Sequence, residues 1–389
     1  MIDYDIKQSP LKPKIIMRKL IFTVLSLFSI AATQAQESTT TTEEKANPLT
    51  FSGYIDTYFF GNLNNPKSRS NLGVSGFERI FDQKPGQFQV GLAQTKLSYS
   101  TDKVDAVIDL VFGNHADLGN YGNIISPVSG ATSTALAIKQ AYITWKASDK
   151  FSITAGQFGT HIGYEVIDAP VNFNYSLSNL FGNGPFYHTG LKATVATSAK
   201  SSLTFGVVNG IDTKDDNNDK LGFMGQFYVS PAEGWNLYLN WLGSDEGVDE
   251  KSFYSIFDVT TSYQITEKFL LGLNAAYGSQ DKKTWGGAAL YAQLAFTDKF
   301  ALGGRYEYFD NTSGVRGLIN PSRPNGGTTT NSFTLTGNVT ISDNLLFKPE
   351  FRFDSFAKGA AGMEQFEDSK GEFTKSSQST IGGALIFKF

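Results

Sequence analysis

The sequence predicts an all-β protein: a single transmembrane antiparallel up-and-down β-barrel of about 16 strands. Three observations support this prediction. From Phe51 onward, apolar residues alternate with small or polar ones, which is the period of a strand with two unlike faces. Short polar turns alternate along the chain with longer Gly-, Asn- and Ser-rich connections. Finally, the alternating region follows an N-terminal segment with the features of a secretion signal.

The N-terminal segment has a basic start, Met17-Arg18-Lys19, followed by an apolar run and then Thr33-Gln34-Ala35. This order predicts a signal peptide over residues 17–35 that is cleaved after Ala35. The apolar run, of about 13 residues, is too short to span a bilayer as a helix. We expect residues 1–16 to be an upstream extension, with the true start at Met17, and residues 36–50 to be a flexible lead-in. The barrel is then expected over residues 51–389.

Five short polar triplets mark the tight turns, because Asp and Ser/Thr side chains bond to their own backbone there. They are Thr101-Asp102-Lys103, Ser148-Asp149-Lys150, Thr266-Glu267-Lys268, Thr297-Asp298-Lys299 and Ser342-Asp343-Asn344. Two more short connections lie near Lys200 and at Pro231-Ala232-Glu233-Gly234. These short connections should alternate with longer ones, as in barrels with short periplasmic turns and long extracellular loops.

The strands themselves are segments of roughly ten residues, the length that a tilted strand needs to cross the hydrocarbon. They are predicted at 51–60, 88–100, 104–113, 135–147, 151–159, 186–197, 202–210, 220–230, 235–243, 253–264, 269–278, 284–296, 300–309, 331–341, 345–355 and 378–389. Closure into a barrel satisfies every backbone group, which lipid demands. Since strand boundaries are uncertain by a few residues, about 14 or 18 strands would also fit the pattern.

A soluble β-sandwich or β-helix would show the same alternation of apolar and polar residues. The residues at the ends of the strands therefore help to distinguish a membrane barrel from these folds. Aromatic residues flank turns or termini, as in the interfacial girdle of a membrane barrel. They are Trp145, Phe151, Trp235, Phe269, Trp285, Phe300 and Phe389. The last strand closes on the terminal Phe389, which resembles the assembly signal of outer-membrane barrels. That resemblance implies recognition by the barrel assembly machinery.

Composition narrows the classes of function. The chain has no cysteine and therefore no disulfide or thiol nucleophile, and its net charge of −4 does not favour a nucleic-acid partner. The three histidines lack the spacing of a metal site, and no Ser or Asp is placed with a His for nucleophilic catalysis. We therefore expect no cofactor, no metal and no enzymatic activity. The acidic segment 212–219 predicts a solvated loop, with a calcium site as the alternative.

The organisation of residues 51–389 resembles the Gram-negative outer-membrane porins, and more narrowly the OmpL-like β-barrel porins of the Bacteroidetes type. The resemblance rests on Phe51-Ser-Gly-Tyr-Ile-Asp56, on Gln140-Ala-Tyr-Ile-Thr-Trp145 and on the segment from Gly163 to Gly190. It implies an outer-membrane location, contacts with lipid and lipopolysaccharide, and passive diffusion of small hydrophilic solutes and ions through a water-filled lumen. A homotrimer is a further expectation. A plugged barrel acting as a surface receptor, adhesin or structural protein is the alternative.

Alternation also predicts which charged side chains face the lumen, because Lys or Arg on the lipid face costs about 2–4 kcal/mol at mid-depth. The candidate pore-lining residues on strands are Arg305, Glu307, Lys348, Glu350, Arg352, Lys192, Asp56, Asp109 and Asp258. The pattern is irregular at two places. Leu92 and Leu97 are five positions apart and cannot lie on the same face of a regular strand, which indicates a bulge or a register error near Lys96. In the second place, an inward Gln140 would turn its neighbour Lys139 outward.

The third long connection, about residues 160–185, carries Glu165 and Asp168. In sixteen-stranded porins the equivalent loop folds into the pore. If it does so here, its carboxylates would oppose Arg305, Lys348 and Arg352 and act as a selectivity filter. The alternative is that these charges are merely solvated and paired across a wide lumen.

Overall fold

The computed structural model describes residues 48–119, 137–322, 326–359 and 363–389. The expected upstream extension, signal peptide and most of the lead-in lie outside these residues. The strands are β1 (Leu49–Asn62), β2 (Gln89–Ser100), β3 (Val104–Phe112), β4 (Ile138–Ser148), β5 (Phe151–Gly159), β6 (Tyr187–Ser198), β7 (Ser201–Val208), β8 (Gly222–Val229), β9 (Trp235–Asp245), β10 (Phe253–Thr266), β11 (Phe269–Gln280), β12 (Lys283–Thr297), β13 (Phe300–Asp310), β14 (Thr329–Ser342), β15 (Leu345–Phe356), β16 (Phe366–Glu367), β17 (Phe373–Lys375) and β18 (Ser377–Lys388). Because β1 begins at Leu49, the expected lead-in ends earlier than residue 50.

Sixteen strands form one closed antiparallel barrel. Sequential strands are neighbours from β1 to β15, and β18 closes the barrel between β15 and β1. The short β16 and β17 form a separate two-stranded sheet within the connection before β18. All sixteen predicted strands are confirmed, with boundaries displaced by at most a few residues. In the described part of the chain, no helix is long and apolar enough to cross a membrane.

The seven tight turns are present at one end of the barrel, and their chemistry is the predicted one. The hydroxyl of Thr101 accepts the N–H of Val104 at 3.1 Å, and that of Thr266 accepts the N–H of Phe269 at 3.1 Å. Ser148 Oγ likewise accepts the N–H of Lys150. Such local bonds stabilise a reversal without help from the rest of the fold.

The prediction that every connection at the other end is longer was wrong for β11 and β12. These strands are joined by Asp281 and Lys282 alone, with φ of 52° and 69°. Positive φ at both central residues gives a two-residue turn whose twist matches that of the strands. Gly is the residue usually expected at such a position, so the sequence did not signal this turn.

Two bulges account for the irregular parity in β2 and β4. Opposite Asp56, β2 places two residues, Gly91 and Leu92, so that Leu92 turns inward while Leu97 faces outward. In β4 the pairing skips Lys139 between its two neighbours. A bulge inserts one unpaired residue and redirects the strand. Lys139 therefore reaches the interior, contrary to the parity expectation.

The outer face of the barrel is apolar. Ile143, Phe205 and Phe257 are each at least 60% exposed there, as expected for side chains that meet lipid. Trp145 and Trp235 are also exposed. The prediction that Trp285 belongs to the outer girdle was wrong, because Trp285 shares the inward parity of Ala289 and Tyr291 and is buried.

The long connections are numbered L1 (63–88), L2 (113–137) and L3 (160–186) in chain order. L2 contains α1 (Asn114–Leu118), and L3 contains α2 (Asn179–Asn183). Ser178 caps α2 by accepting the N–H of Phe181. Apolar clusters lie inside the barrel, and L1, α1 and L3 all contribute residues to them.

Candidate functional site: the loop-covered barrel interior

L3 runs along the inside of the wall between distant strands. The N–H of Gly163 donates to Asp258 on β10 at 3.0 Å, and the ring of Tyr164 stacks on Tyr291 of β12 at 4.4 Å. The hydroxyl of Tyr175 donates to Asp56 on β1 at 2.7 Å. Six strands separate β10 from β1 around this arc of the barrel. L3 therefore follows a large part of the inner circumference.

Wall carboxylates bind the backbone N–H groups of L3. Glu350 on β15 accepts from Tyr175 at 2.7 Å and from Ser176 at 3.0 Å. Glu307 on β13 accepts from the first two N–H groups of α2, at 2.8 and 2.7 Å. Charge-assisted hydrogen bonds of this kind are about twice as strong as neutral ones. They also satisfy donors that would otherwise be left unpaired in the interior.

Wall cations bind the carbonyl groups of the same loop. Lys348 donates to the carbonyl oxygens of Ala169, at 2.8 Å, and Asn172. Arg352 donates to that of Leu177 at 2.7 Å. The wall thus presents acceptors to the loop's donors and donors to its acceptors, and the loop backbone is held at many points.

Arg305 and Glu165 form an ion pair between β13 and L3, with side-chain exposures of 0% and 4%. Arg305 also donates to the carbonyl of Ser176 at 2.7 Å and to Thr334 at 3.1 Å. A buried ion pair needs such additional hydrogen bonds, because both charges have left water. Glu165 in turn accepts the N–H of Ser178.

Asp168, the second expected carboxylate of L3, is bound by Lys139 rather than by Arg305, Lys348 or Arg352. Lys139 Nζ lies 2.5 Å from Asp168 and 3.3 Å from Asp109. The side-chain amide of Gln94 donates to both carboxylates, at 2.8 and 3.1 Å. The bulge in β4 is what brings this lysine to the interior.

Two inward glycines lie directly under aromatic rings of L3. A Cβ at Gly303 would be 2.2 Å from the ring of Phe173, and one at Gly272 would be 2.5 Å from the hydroxyl of Tyr164. Only a residue without a side chain permits this approach. Gly303 lies in the predicted strand 300–309, but alternation does not identify the ring that packs on it.

L1 adds a cation that periodicity could not detect. Arg79 binds Asp82 at 2.5 Å and Asp354 at 2.6 Å, while Arg352 Nε donates to Asp354 at 2.8 Å. Burial raises the pKa of Asp82 despite its arginine partner. Because Arg79 lies in an irregular loop, neither spacing nor alternation marked it as an interior residue.

Near the long loops, apolar side chains fill the space inside the wall. Tyr58, Phe81 and Phe181 belong to one cluster, and Phe158 and Leu242 belong to another. Members of both clusters are buried. This part of the interior is packed like a protein core.

The other half of the interior, toward the tight turns, has a different surface. We call it the short-turn vestibule. It is polar and only partly buried, and its inward side chains include Ser52, Lys96, Thr144, Lys146, Ser152, Lys192, Thr194, Ser202, Gln226, Tyr228, Asn236, Tyr238, Ser262, Thr340 and Lys388. Hydroxyl and amide groups predominate, as on a wetted wall.

The candidate residues therefore divide into two groups. Nine of them are buried under the loops rather than lining open lumen: Arg305, Glu307, Lys348, Glu350, Arg352, Asp56, Asp109, Asp258 and Glu165. Lys192 and Asp168 remain partly exposed. Charges that the sequence placed on opposite sides of a pore are instead in direct contact, because L3 lies against the wall. Across the described residues, no group of three or more His, Cys, Asp or Glu is arranged to hold a metal ion.

Taken together, a closed sixteen-stranded barrel with a lipid-facing apolar exterior and an inward-folded third loop defines an outer-membrane porin. The chain belongs to a family described as "Putative beta-barrel porin-2, OmpL-like", whose sequence profile matches residues 48–389. A comparison with curated proteins finds no match.

Solved structures share the fold at low sequence identity. The outer membrane channel DcaP of Acinetobacter baumannii has a TM-score of 0.56 at 11% identity, over 88% of this chain and 97% of that one. An anion-selective porin from Comamonas acidovorans has a TM-score of 0.55 at 10% identity, over 88% and 99%. A loop-deletion mutant of OmpT from Vibrio cholerae gives 0.53 at 12%, over 88% and 99%.

Proposed function

We propose that this porin lets small hydrophilic solutes and ions cross the outer membrane by passive diffusion. The observation that supports this most directly is the short-turn vestibule, where the inward side chains are polar and partly exposed. A lumen that had no contact with water would not need such a lining. Movement of solute past L1 and L3 then sets the rate.

The proposal includes the setting of the protein. The chain would reach the outer membrane after removal of its signal peptide and would be inserted there by the barrel assembly machinery. It would contact lipid and lipopolysaccharide through its apolar exterior, alone or as a homotrimer. It would act without a cofactor and would not be an enzyme.

One observation favours a second candidate, a plugged barrel that serves as a surface receptor, adhesin or structural protein. The inward residues near the long loops are buried in apolar clusters that include L1 and L3. A barrel whose interior is packed in this way need not conduct. The two candidates differ in one measurable property, the permeability of the folded protein.

Single-channel recording in planar bilayers tests the proposal. Purified and refolded protein is expected to insert with ohmic current steps in KCl. Heat-modifiable migration on a gel confirms beforehand that the barrel is folded. Folded protein that inserts into liposomes but gives no current steps would exclude the porin function and favour the plugged receptor.

A further inference from the structure

Among the described residues, the inward charges that lack an ion-pair partner in the short-turn half of this barrel are positive. On the wall facing L3, the carboxylates are already engaged by donors. Glu350 and Glu307 bind backbone N–H groups of L3, and Asp258 binds Gly163 and the amides of Asn240 and Asn274. All three carboxylates are buried. A solute in the lumen cannot contact them unless L3 is displaced.

The short-turn vestibule has the opposite character. Four lysines face inward there: Lys96 on β2, Lys146 on β4, Lys192 on β6 and Lys388 on β18. Their cross-strand partners establish this orientation. Lys96 pairs with buried Asp109, Lys192 with buried Thr154, and Lys388 with buried Tyr54. Directly opposed residues on neighbouring strands share a face.

Among the described residues, only one of these lysines has an ion-pair partner. Lys146 binds Asp105 at 2.7 Å, and both side chains are partly exposed. Lys192 lies over the ring of Phe158 at 4.3 Å and makes no ion pair in the described structure. The same holds for Lys96 and Lys388. Because Asp105 is already paired with Lys146, it does not offset the charges of the other three lysines.

We propose that the short-turn vestibule is an anion-attracting compartment and that the solutes it admits are anionic. This inference rests on the proposed porin function and specifies its substrate class. Partly exposed inward cations raise the local concentration of anions and lower that of cations. The buried carboxylates near L3 would repel anions. Hydrogen bonds from L3 offset part of their charge, and dissolved salt screens their field over the distance to the vestibule.

Reversal potentials across a KCl gradient test the inference. Wild-type channels are expected to prefer Cl⁻ over K⁺. The variant Lys96→Gln/Lys192→Gln/Lys388→Gln should lower the ratio of chloride to potassium permeability by about threefold or more, because three unpaired cations are removed from one compartment. The matched control is Lys103→Gln/Lys150→Gln/Lys200→Gln, which removes three lysines of the tight turns outside the vestibule. Cation-selective wild-type channels, or equal shifts in both variants, would overturn the inference.

A binding measurement separates failure of the inference from failure of the porin function. The trianionic dye pyranine is titrated into the folded protein in detergent, and its fluorescence anisotropy is recorded. The expected result is binding that weakens with added salt and is lost in the vestibule variant but retained in the turn control. If no current is seen but this pattern holds, the porin function fails while the anion site stands. Absence of dye binding to wild-type protein would refute the anion site, whatever the current.

Discussion

Arg305 on β13 and Glu165 in L3 form an ion pair in which both side chains are buried. The pair joins the barrel wall to the loop at a point where the carbonyl of Ser176 also accepts a hydrogen bond from the same guanidinium. The charges that the sequence suggested as a filter therefore fix the position of L3. Their removal should first affect the loop, and only through it the passage of ions.

The substitution Arg305→Gln is expected to release L3, since it leaves Glu165 buried without its partner. Removing one member of a buried pair typically costs about 3–5 kcal/mol. L3 contains Tyr164, Phe173 and Tyr175 but no Lys or Arg, so chymotrypsin is the suitable probe. We expect rapid cleavage within 160–186 in the variant and protection in the wild type, with the barrel intact on a gel.

A double-mutant cycle with Glu165→Gln is the control for this prediction. The double variant should lose less than the sum of the two single variants, because neither charge is then left alone. Strictly additive effects on the free energy of unfolding would show that the two side chains do not depend on each other.

Adding a side chain at Gly303 or Gly272 should loosen L3 without altering any charge. In Gly303→Val the new Cβ would lie at the ring of Phe173, and in Gly272→Val at the hydroxyl of Tyr164. Both rings must then move away from the wall. We expect chymotrypsin to cleave L3 faster and the single-channel conductance to change in both variants.

The matched control for the glycine variants is Gly225→Val on β8, where an added Cβ meets nothing within 4 Å. Its cleavage rate and conductance should equal those of the wild type. Equal behaviour of all three variants would mean that the contacts of L3 with these glycines do not position the loop.

The sequence predicted the barrel well because each of its elements depends on local chemistry. Alternation identifies a strand, and a polar triplet such as Thr266-Glu267-Lys268 identifies a turn by its own hydrogen bonds. Orientation follows from alternation as long as pairing is regular. It failed at Lys139, because irregular parity marks a disturbance in the strand, but pairing with the neighbouring strand decides which residue the bulge leaves unpaired.

The interior was less predictable, because its contacts join segments that are far apart in the sequence. Arg79 and Asp354 are separated by 275 positions, and nothing near Arg79 indicates an inward role. The turn at Asp281 and Lys282 was missed for another reason. Both residues have positive φ, a backbone conformation that residues other than Gly seldom adopt, so their identity did not indicate a turn.

Acid should weaken the packing around α1 through His115. This side chain is 4% exposed, lies 5.3 Å from the ring of Tyr58 and 5.4 Å from that of Phe81, and burial lowers its pKa from the usual 6.5 to about 4. Between these two values the unfolded chain binds the proton and the folded one does not. The contribution of His115 to the free energy of unfolding is therefore at its maximum above pH 6.5. It decreases as the pH drops toward 4, by at most about 1.4 kcal/mol per pH unit.

Hydrogen exchange of residues 113–119 at pH 7 and pH 4.5, corrected for the intrinsic rate, measures this effect. Wild-type protein should lose protection at the lower pH. His115→Phe keeps an aromatic ring between Tyr58 and Phe81 but cannot titrate, so its protection should change less. An identical loss in both proteins would assign the acid response to other groups.

The C-terminal Phe389 is expected to matter more for assembly in the cell than for the stability of the folded barrel. Its backbone exchanges two hydrogen bonds with Gly53, at 3.0 and 3.1 Å, and its ring lies 5.5 Å from that of Phe51. The side chain is nevertheless 46% exposed, as is that of Phe387 two residues before it. Phe389→Ala and Phe387→Ala therefore remove similar exposed rings from the same strand. If the terminal aromatic is read by the assembly machinery, Phe389→Ala alone should lower the amount of heat-modifiable protein in outer-membrane fractions, while both variants refold equally in detergent. Equal amounts of the two variants in the membrane would show that the terminal position carries no signal of its own.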